Sequence, residues 1–136
     1  EMIASLVGSE MCIRDRETFE TFRQEFKKLW NSERTGILFP SSMFEDQGDS
    51  SDFALNEMLE HIWQDAVAVC GIEMHRRVLS LAHNADFEEI SDTKKRSQLE
   101  ARNLMMGREL ILNNNSIKNA SALTSLAKKF NSENYL

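Results

Sequence analysis

The sequence predicts an all-α fold, and three observations carry the prediction. A single proline and five glycines among 136 residues cannot supply the turns of a fold built from many short strands. Apolar residues recur at helical spacing in each long segment, and clusters of Asp, Asn, Ser and Gly separate those segments as caps and breaks would. With 41% hydrophobic and 28% charged residues, the chain has a soluble globular composition and a length suited to one domain.

The first sixteen residues, EMIASLVGSEMCIRDR, fit poorly with the remainder. The stretch Ser5 to Arg16 is similar to a string that recurs ahead of unrelated proteins in automated translations of sequencing assemblies. Residues 1–16 are therefore expected to be a non-native leader and are set aside from fold reasoning. The native part is then residues 17–136, truncated upstream, and Cys12 carries no meaning.

From Glu17 to about Arg34, Phe19, Phe22, Phe26, Leu29 and Trp30 define one amphipathic helix. Residues 35–51 hold Gly36, Pro40, Ser41, Ser42, Asp46, Gly48 and Asp49, a connection anchored by Ile37, Leu38, Phe39 and Phe44. Asp52 is placed to cap a helix through Leu55, Leu59, Ile62, Trp63 and Val67. Gly71 interrupts that pattern without stopping it, which predicts either one long helix with a weak point, closing at His83, or two in close sequence. Asn84, Ala85 and Asp86 form a break before a short turn, Phe87 to Ile90. Ser91 or Asp92 caps a helix carrying Leu99, Leu104, Met105, Leu110 and Ile111, ended by Asn113 to Asn115. Ser116 to Phe130 forms the last helix, and the tail frays.

Charge and cysteine content exclude several functions. The net charge of −6 repels a nucleic-acid backbone, and no basic run interleaved with aromatics offsets it. Cys12 and Cys70 form no metal-spaced cluster and no disulfide framework, which predicts a cytoplasmic setting. No apolar run approaches the roughly 20 residues of a membrane span. The acidic residues Glu45, Asp46, Asp49 and Asp52 lack calcium-loop spacing and are expected to be a solvated loop. No glycine-rich phosphate loop, His-Glu-x-x-His or Gly-x-Ser-x-Gly motif is present.

Chemistry concentrates in Gly71 to Phe87, GIEMHRRVLSLAHNADF. Arg77 shares a ridge with Met74, Val78 and Leu81, and Arg76 shares another with Val69, Ile72, Leu79 and His83. Neighbouring residues stand about 100° apart around a helix, so two guanidiniums point from a mostly apolar surface. Either Glu73 pairs with Arg76 or Arg77 on the helix surface, or the arginines line a polar pocket that binds hydroxyls, carboxylates or phosphates. Spacing leaves both open. His61, His75 and His83 read as surface or helix-end histidines, with His83 near Asp86, and Trp30 and Trp63 as core or interface residues.

The string GIEMHRRVLSLAHNADFEEI resembles the C-terminal helical region of S-methyl-5-thioribose kinases, where a twin arginine precedes Leu-Ala-His-x-Ala-Asp. Compatible segments extend from Phe19 to Leu112, including Leu29-Trp30-Asn31, Trp63-Gln64-Asp65 and Gly107-Arg108-Glu109-Leu110-Ile111. His75 and Ser80 depart from the pattern, which expects an aliphatic residue and a glycine there. The resemblance implies the helical part of the large lobe of a protein-kinase-like α+β fold. It implies an enzyme that transfers the γ-phosphoryl group of ATP to the 1-hydroxyl of 5-methylthioribose in methionine salvage, as a homodimer. Arg76 and Arg77 would bind the sugar. The sites for ATP and Mg²⁺ would lie upstream, leaving these 136 residues without catalytic, cofactor or metal residues and without activity. The alternatives are another small-molecule kinase, of choline or aminoglycoside type, and a non-catalytic helical interaction domain.

Overall fold

The computed structural model describes residues 2–45, 50–79 and 85–132, with side chains described from Arg16 onward except that of Asp86. Among the described residues all regular structure is helical: α1 (Met2–Ser32), α2 (Ser50–Leu79), the single turn α3 (Ala85–Glu88), α4 (Thr93–Leu112) and α5 (Ala120–Ser132). Short 3-10 turns lie at Ser41–Phe44 and Asn114–Ser116. The all-α expectation holds. The chain divides into two compact units, Glu1–Ile62 and Trp63–Leu136.

In the first unit, α1 begins at Met2 rather than at the predicted Glu17. Ala4, Leu6, Glu10, Met11, Arg14 and Arg16 are good helix formers, and a lone interior Gly8 costs only about 1 kcal/mol relative to Ala. The helix closes at Ser32, whose hydroxyl donates to the carbonyl of Lys28 at 3.0 Å.

The aromatic stripe of α1 forms as spaced. Ring centroids are 6.2 Å apart for Phe19 and Phe22, 5.6 Å for Phe22 and Phe26, and 6.5 Å for Phe26 and Trp30. The ladder continues through the connection, from Trp30 to Phe39 at 5.5 Å and on to Phe44 at 6.5 Å. Trp30, Leu55 and Leu59 are buried together, with Phe26, Phe39, Phe44, Ala54 and Met58 packed on them. Burying such a side chain contributes about 1.5–3 kcal/mol. Two of the four predicted anchors fail, Ile37 and Leu38 being 98% and 76% exposed, and Leu29 on the predicted α1 stripe is half exposed. Leu29 stands about 100° off the Trp30 line, and the chain turns inward only at Phe39.

Arg34, four residues beyond Trp30, closes this unit in a way the sequence did not reveal. Its guanidinium lies 5.0 Å from the ring centroids of both Trp30 and Phe44, a cation–π arrangement favoured by the negative ring faces. Arg34 Nη1 donates to Ser51 Oγ at 2.6 Å and Trp30 Nε1 donates to the same oxygen at 3.0 Å. The indole N–H is thereby satisfied inside the core. Because α2 begins at Ser50, Asp52 is not its cap but an acidic residue in its first turn, where a carboxylate complements the positive helix end. Asp46, Gly48 and Asp49 lie outside the described residues.

In the second unit, α2 continues without a break through Gly71 to Leu79, so the one-helix alternative is the correct one. The reason is a helix crossing. A Cβ placed on Gly71 would stand 2.5 Å from the Gly107 carbonyl oxygen, 2.9 Å from Ile111 Cγ1 and 3.0 Å from Leu110 Cβ. One on Gly107 would stand 2.9 Å from the Gly71 carbonyl oxygen and 2.7 Å from His75 Nδ1. Two glycines thus let the α2 and α4 backbones touch, with each helix absorbing the propensity cost of its glycine.

Trp63, Val67, Leu110 and Ile117 are buried in this unit. Trp63 Nε1 donates to the Ile117 carbonyl, and Asn114 Nδ2 donates to the Gln64 carbonyl at 3.3 Å. These bonds hold the connection between α4 and α5 against α2.

The predicted cap of α4 is present: the Asp92 carboxylate accepts from the Lys94 and Lys95 amides at 3.0 and 3.1 Å. The short turn expected over Phe87 to Ile90 is instead α3, beginning at Ala85, so Ala85 and Asp86 lie within it rather than in the break before it. The last helix begins at Ala120 rather than Ser116, because Asn119 Oδ1 accepts from the Ala122 amide at 2.9 Å in a capping arrangement. Ser80, Leu81, Ala82, His83 and Asn84, and the tail 133–136, lie outside the described residues. The proposed contact of His83 with Asp86 lies there too.

The crossing makes a prediction opposite to helix propensity. Gly71→Ala should lower the melting temperature of the chain followed by far-ultraviolet circular dichroism, with a net cost of about 1–3 kcal/mol from overpacking against backbone. A rise in melting temperature would contradict the close approach.

Candidate functional site

The last turn of α2 presents Arg76 and Arg77, both exposed. Cations in the last turn of a helix complement the negative end of its dipole. The apolar ridge expected around Arg76 is bare: Val69, Ile72 and Leu79 are 55%, 53% and 70% exposed. On the other ridge Met74 and Val78 are half-buried while Arg77 is exposed, and Leu81 lies outside the described residues.

The two arginines differ in what holds them. Arg76 Nε donates to both carboxylate oxygens of Glu73 at 3.0 Å, and Arg76 Nη2 donates to Oε2 at 2.7 Å. The i, i+3 pairing weighed from spacing is therefore present. With the two side chains 47% and 45% exposed, it contributes little to stability. Arg77 makes no hydrogen bond or ion pair to the described residues. One fork is occupied along the helix surface and its neighbour, about 100° around the axis, is unpaired among the described residues.

Hydrogen bonds from Arg76 hold the Glu73 carboxyl below the usual glutamate range against a partial desolvation that raises it; the charges of Arg76 and Arg77 lower it further. The same pairing raises Arg76. A depressed carboxyl contributes stability above its unfolded-state value and loses it as pH falls through the folded-state value.

Two contacts beneath this turn escaped the sequence reading. His75 Nδ1 lies 2.8 Å from the Gly71 carbonyl; a carbonyl only accepts, so the ring holds its proton on Nδ1 in this bond. The ring occupies the space that a side chain on Gly107 would fill. That gives the histidine, a departure from the kinase pattern, a packing role. Asn103 Nδ2 of α4 donates to the Met74 carbonyl of α2 at 2.8 Å. An asparagine in the interior of a predicted helix, where its amide competes with the backbone, was the available signal.

The other candidates reduce to structure. His61 is exposed, Trp30 and Trp63 are core residues, and Cys70 is an exposed thiol outside any disulfide. Among the described residues no group of His, Cys, Asp and Glu could hold a metal ion. No helix among them is long and apolar enough to cross a membrane. A groove of about 390 Å³ at the start of α4 is lined by Asp92, Lys94, Lys95, Gln98, Leu99 and Arg102. It is open to solvent, and its carboxylate is already engaged as the helix cap.

With this geometry in place, the comparisons identify the relatives. The chain is similar to methylthioribose kinases. It is 29% identical over 112 residues to the methylthioribose kinase of Escherichia coli O45:K1, an alignment covering 82% of this chain and 27% of that protein. The enzyme of Yersinia pseudotuberculosis serotype IB is 33% identical over 106 residues, 77% of this chain and 24% of that one. That of Yersinia enterocolitica reaches 46% over 54 residues, 40% of this chain and 14% of the relative. The chain thus spans about a quarter of the length of the first two relatives. No family model and no solved structure matches.

A titration checks the pairing. The side-chain carbon resonances of Glu73, followed by nuclear magnetic resonance, should report a midpoint below the ordinary glutamate value, and Arg76→Gln should move it upward. A wild-type midpoint at the ordinary value would contradict the pair.

Proposed function

We propose that this chain is the substrate-side, C-terminal helical part of the large lobe of a methylthioribose kinase with a protein-kinase-like fold. In the intact enzyme, on this reading, ATP and Mg²⁺ are held by segments upstream of residue 17. The γ-phosphoryl group passes to the 1-hydroxyl of 5-methylthioribose in methionine salvage. The intact enzyme is a cytoplasmic homodimer, and residues 1–16 are a non-native leader.

The observation that carries the reading is the unengaged guanidinium of Arg77 beside an engaged Arg76, in a segment similar to enzymes named for a sugar substrate. A sugar offers hydroxyl oxygens, and a guanidinium offers a planar fork of N–H donors with no acceptor of its own. Arg77 donates to sugar hydroxyls, while Glu73 fixes the rotamer of Arg76 so that the two forks diverge. The described residues contain no cluster suited to Mg²⁺, so this chain supplies acceptor binding and no step of phosphoryl transfer is assigned to it.

The exposed Val69, Ile72 and Leu79 and the local Glu73–Arg76 pair favour a second reading, a helical interaction domain without catalysis. A His-x-Asp catalytic loop and a later metal-binding acid encoded upstream of Glu17 are required by the kinase reading and not by the interaction domain. Assay of the full-length enzyme on methylthioribose, choline and an aminoglycoside separates the acceptor classes.

In that enzyme Arg77→Ala should raise KM for methylthioribose by about 10-fold or more, the scale of a lost hydrogen bond from a charged donor, with KM for ATP little changed. Equal effects on both substrates would point to general destabilisation instead. The 136-residue chain alone should show no turnover above a blank.

A further inference from the structure

We propose that Asn103 is a positioning residue for the Arg76–Arg77 turn. The inference rests on the reading of Arg77 as a sugar contact.

In an α-helix the carbonyl of residue i points at the N–H of residue i+4. The Met74 carbonyl therefore lies beneath the turn that carries Arg76, Arg77 and Val78. One of its lone pairs serves the helix and the other is open to an outside donor. Asn103 Nδ2 fills that place at 2.8 Å from across the helix pair. Past Met74 the described helix residues are held by packing at His75 and the half-buried Val78, while Arg76, Arg77 and Leu79 are exposed. The side-chain bonds of Arg76 return to Glu73 on its own helix, and Arg77 makes none among the described residues. Asn103 thus supplies the interhelical hydrogen bond closest to the arginines among the described residues.

Its effect differs from that of the glycine crossing one turn earlier. Gly71 against Gly107 fixes how closely the helices approach, with the His75 ring and the Ile111 side chain beside the contact, but such packing contacts impose little directional constraint. A directional hydrogen bond does. Rotation matters here because Arg76 and Arg77 project from one turn; a roll of that turn carries both guanidiniums with it and misaligns the Arg77 fork from its acceptor. Asn103 sets the azimuth of the turn, and so how Arg77 is presented to the acceptor sugar.

The test uses the full-length kinase with Asn103→Leu, close in volume but without donors, Asn103→Gln, which keeps an amide donor, and Arg77→Ala as reference. Asn103→Leu should raise KM for methylthioribose about five-fold, the scale of one lost neutral hydrogen bond, without moving KM for ATP. Asn103→Gln should recover at least half of the difference. A merely structural residue would lower the melting temperature and leave the two KM values of the folded enzyme unchanged or moving together, and that result would overturn the proposal. If Arg77→Ala raises KM for the sugar while both Asn103 variants match wild type, positioning fails and the sugar site stands. If Arg77→Ala has no effect on that KM, the sugar-site reading fails and the inference falls with it.

Discussion

Contact between the α2 and α4 backbones at Gly71 and Gly107 is the constraint on which the second unit depends. Most helix pairs meet through side chains and are separated by them, typically at 8–10 Å between axes. Here a Cβ on either glycine would lie within 3 Å of the opposite helix. The approach brings Asn103 within reach of a main-chain carbonyl on α2 and leaves room for the His75 ring over Gly107. It also spares α2 a break at Gly71, because packing outweighs the roughly 1 kcal/mol that a helical glycine forfeits.

Short-range forces assign the two guanidiniums different states: Glu73, three residues before Arg76, takes one, and the other has no hydrogen-bond or ion-pair partner among the described residues. Glu73 is also four residues before Arg77, so both pairings were available on helical geometry. The bidentate arrangement with Arg76 resolves the choice, and on the proposed reading it leaves Arg77 to the acceptor molecule. The separate clamp in the first unit, with Arg34 between Trp30 and Phe44, shows a guanidinium used for packing instead.

The aromatic stripe of α1, the Asp92 cap and the all-α class were legible because each depends on residues within a turn or two of one another. What failed depended on contacts distant in sequence. Leu29, Ile37 and Leu38 are apolar and yet exposed, since only the partner surface decides which face of an apolar segment is covered. The ridges of α2 suffered the same ambiguity: a helix apolar on most sides does not declare its inner face, so Arg76 read as though set into packing when its ridge is bare. Gly71 read as a weak point because its partner, Gly107, lies thirty-six residues away. Asn119 and Asp52 show the short-range limit, where competing cap candidates within a few residues shift a helix start by up to four positions.

On the proposed reading, an arginine turn set by a glycine crossing and an asparagine bond recognises a sugar. A crystal structure of the full-length protein with methylthioribose bound tests this most directly. It should show the Arg77 guanidinium within about 3 Å of a sugar hydroxyl, with Gly71 and Gly107 in contact and Asn103 on the Met74 carbonyl. A sugar bound away from Arg77, with that turn facing solvent, would contradict it.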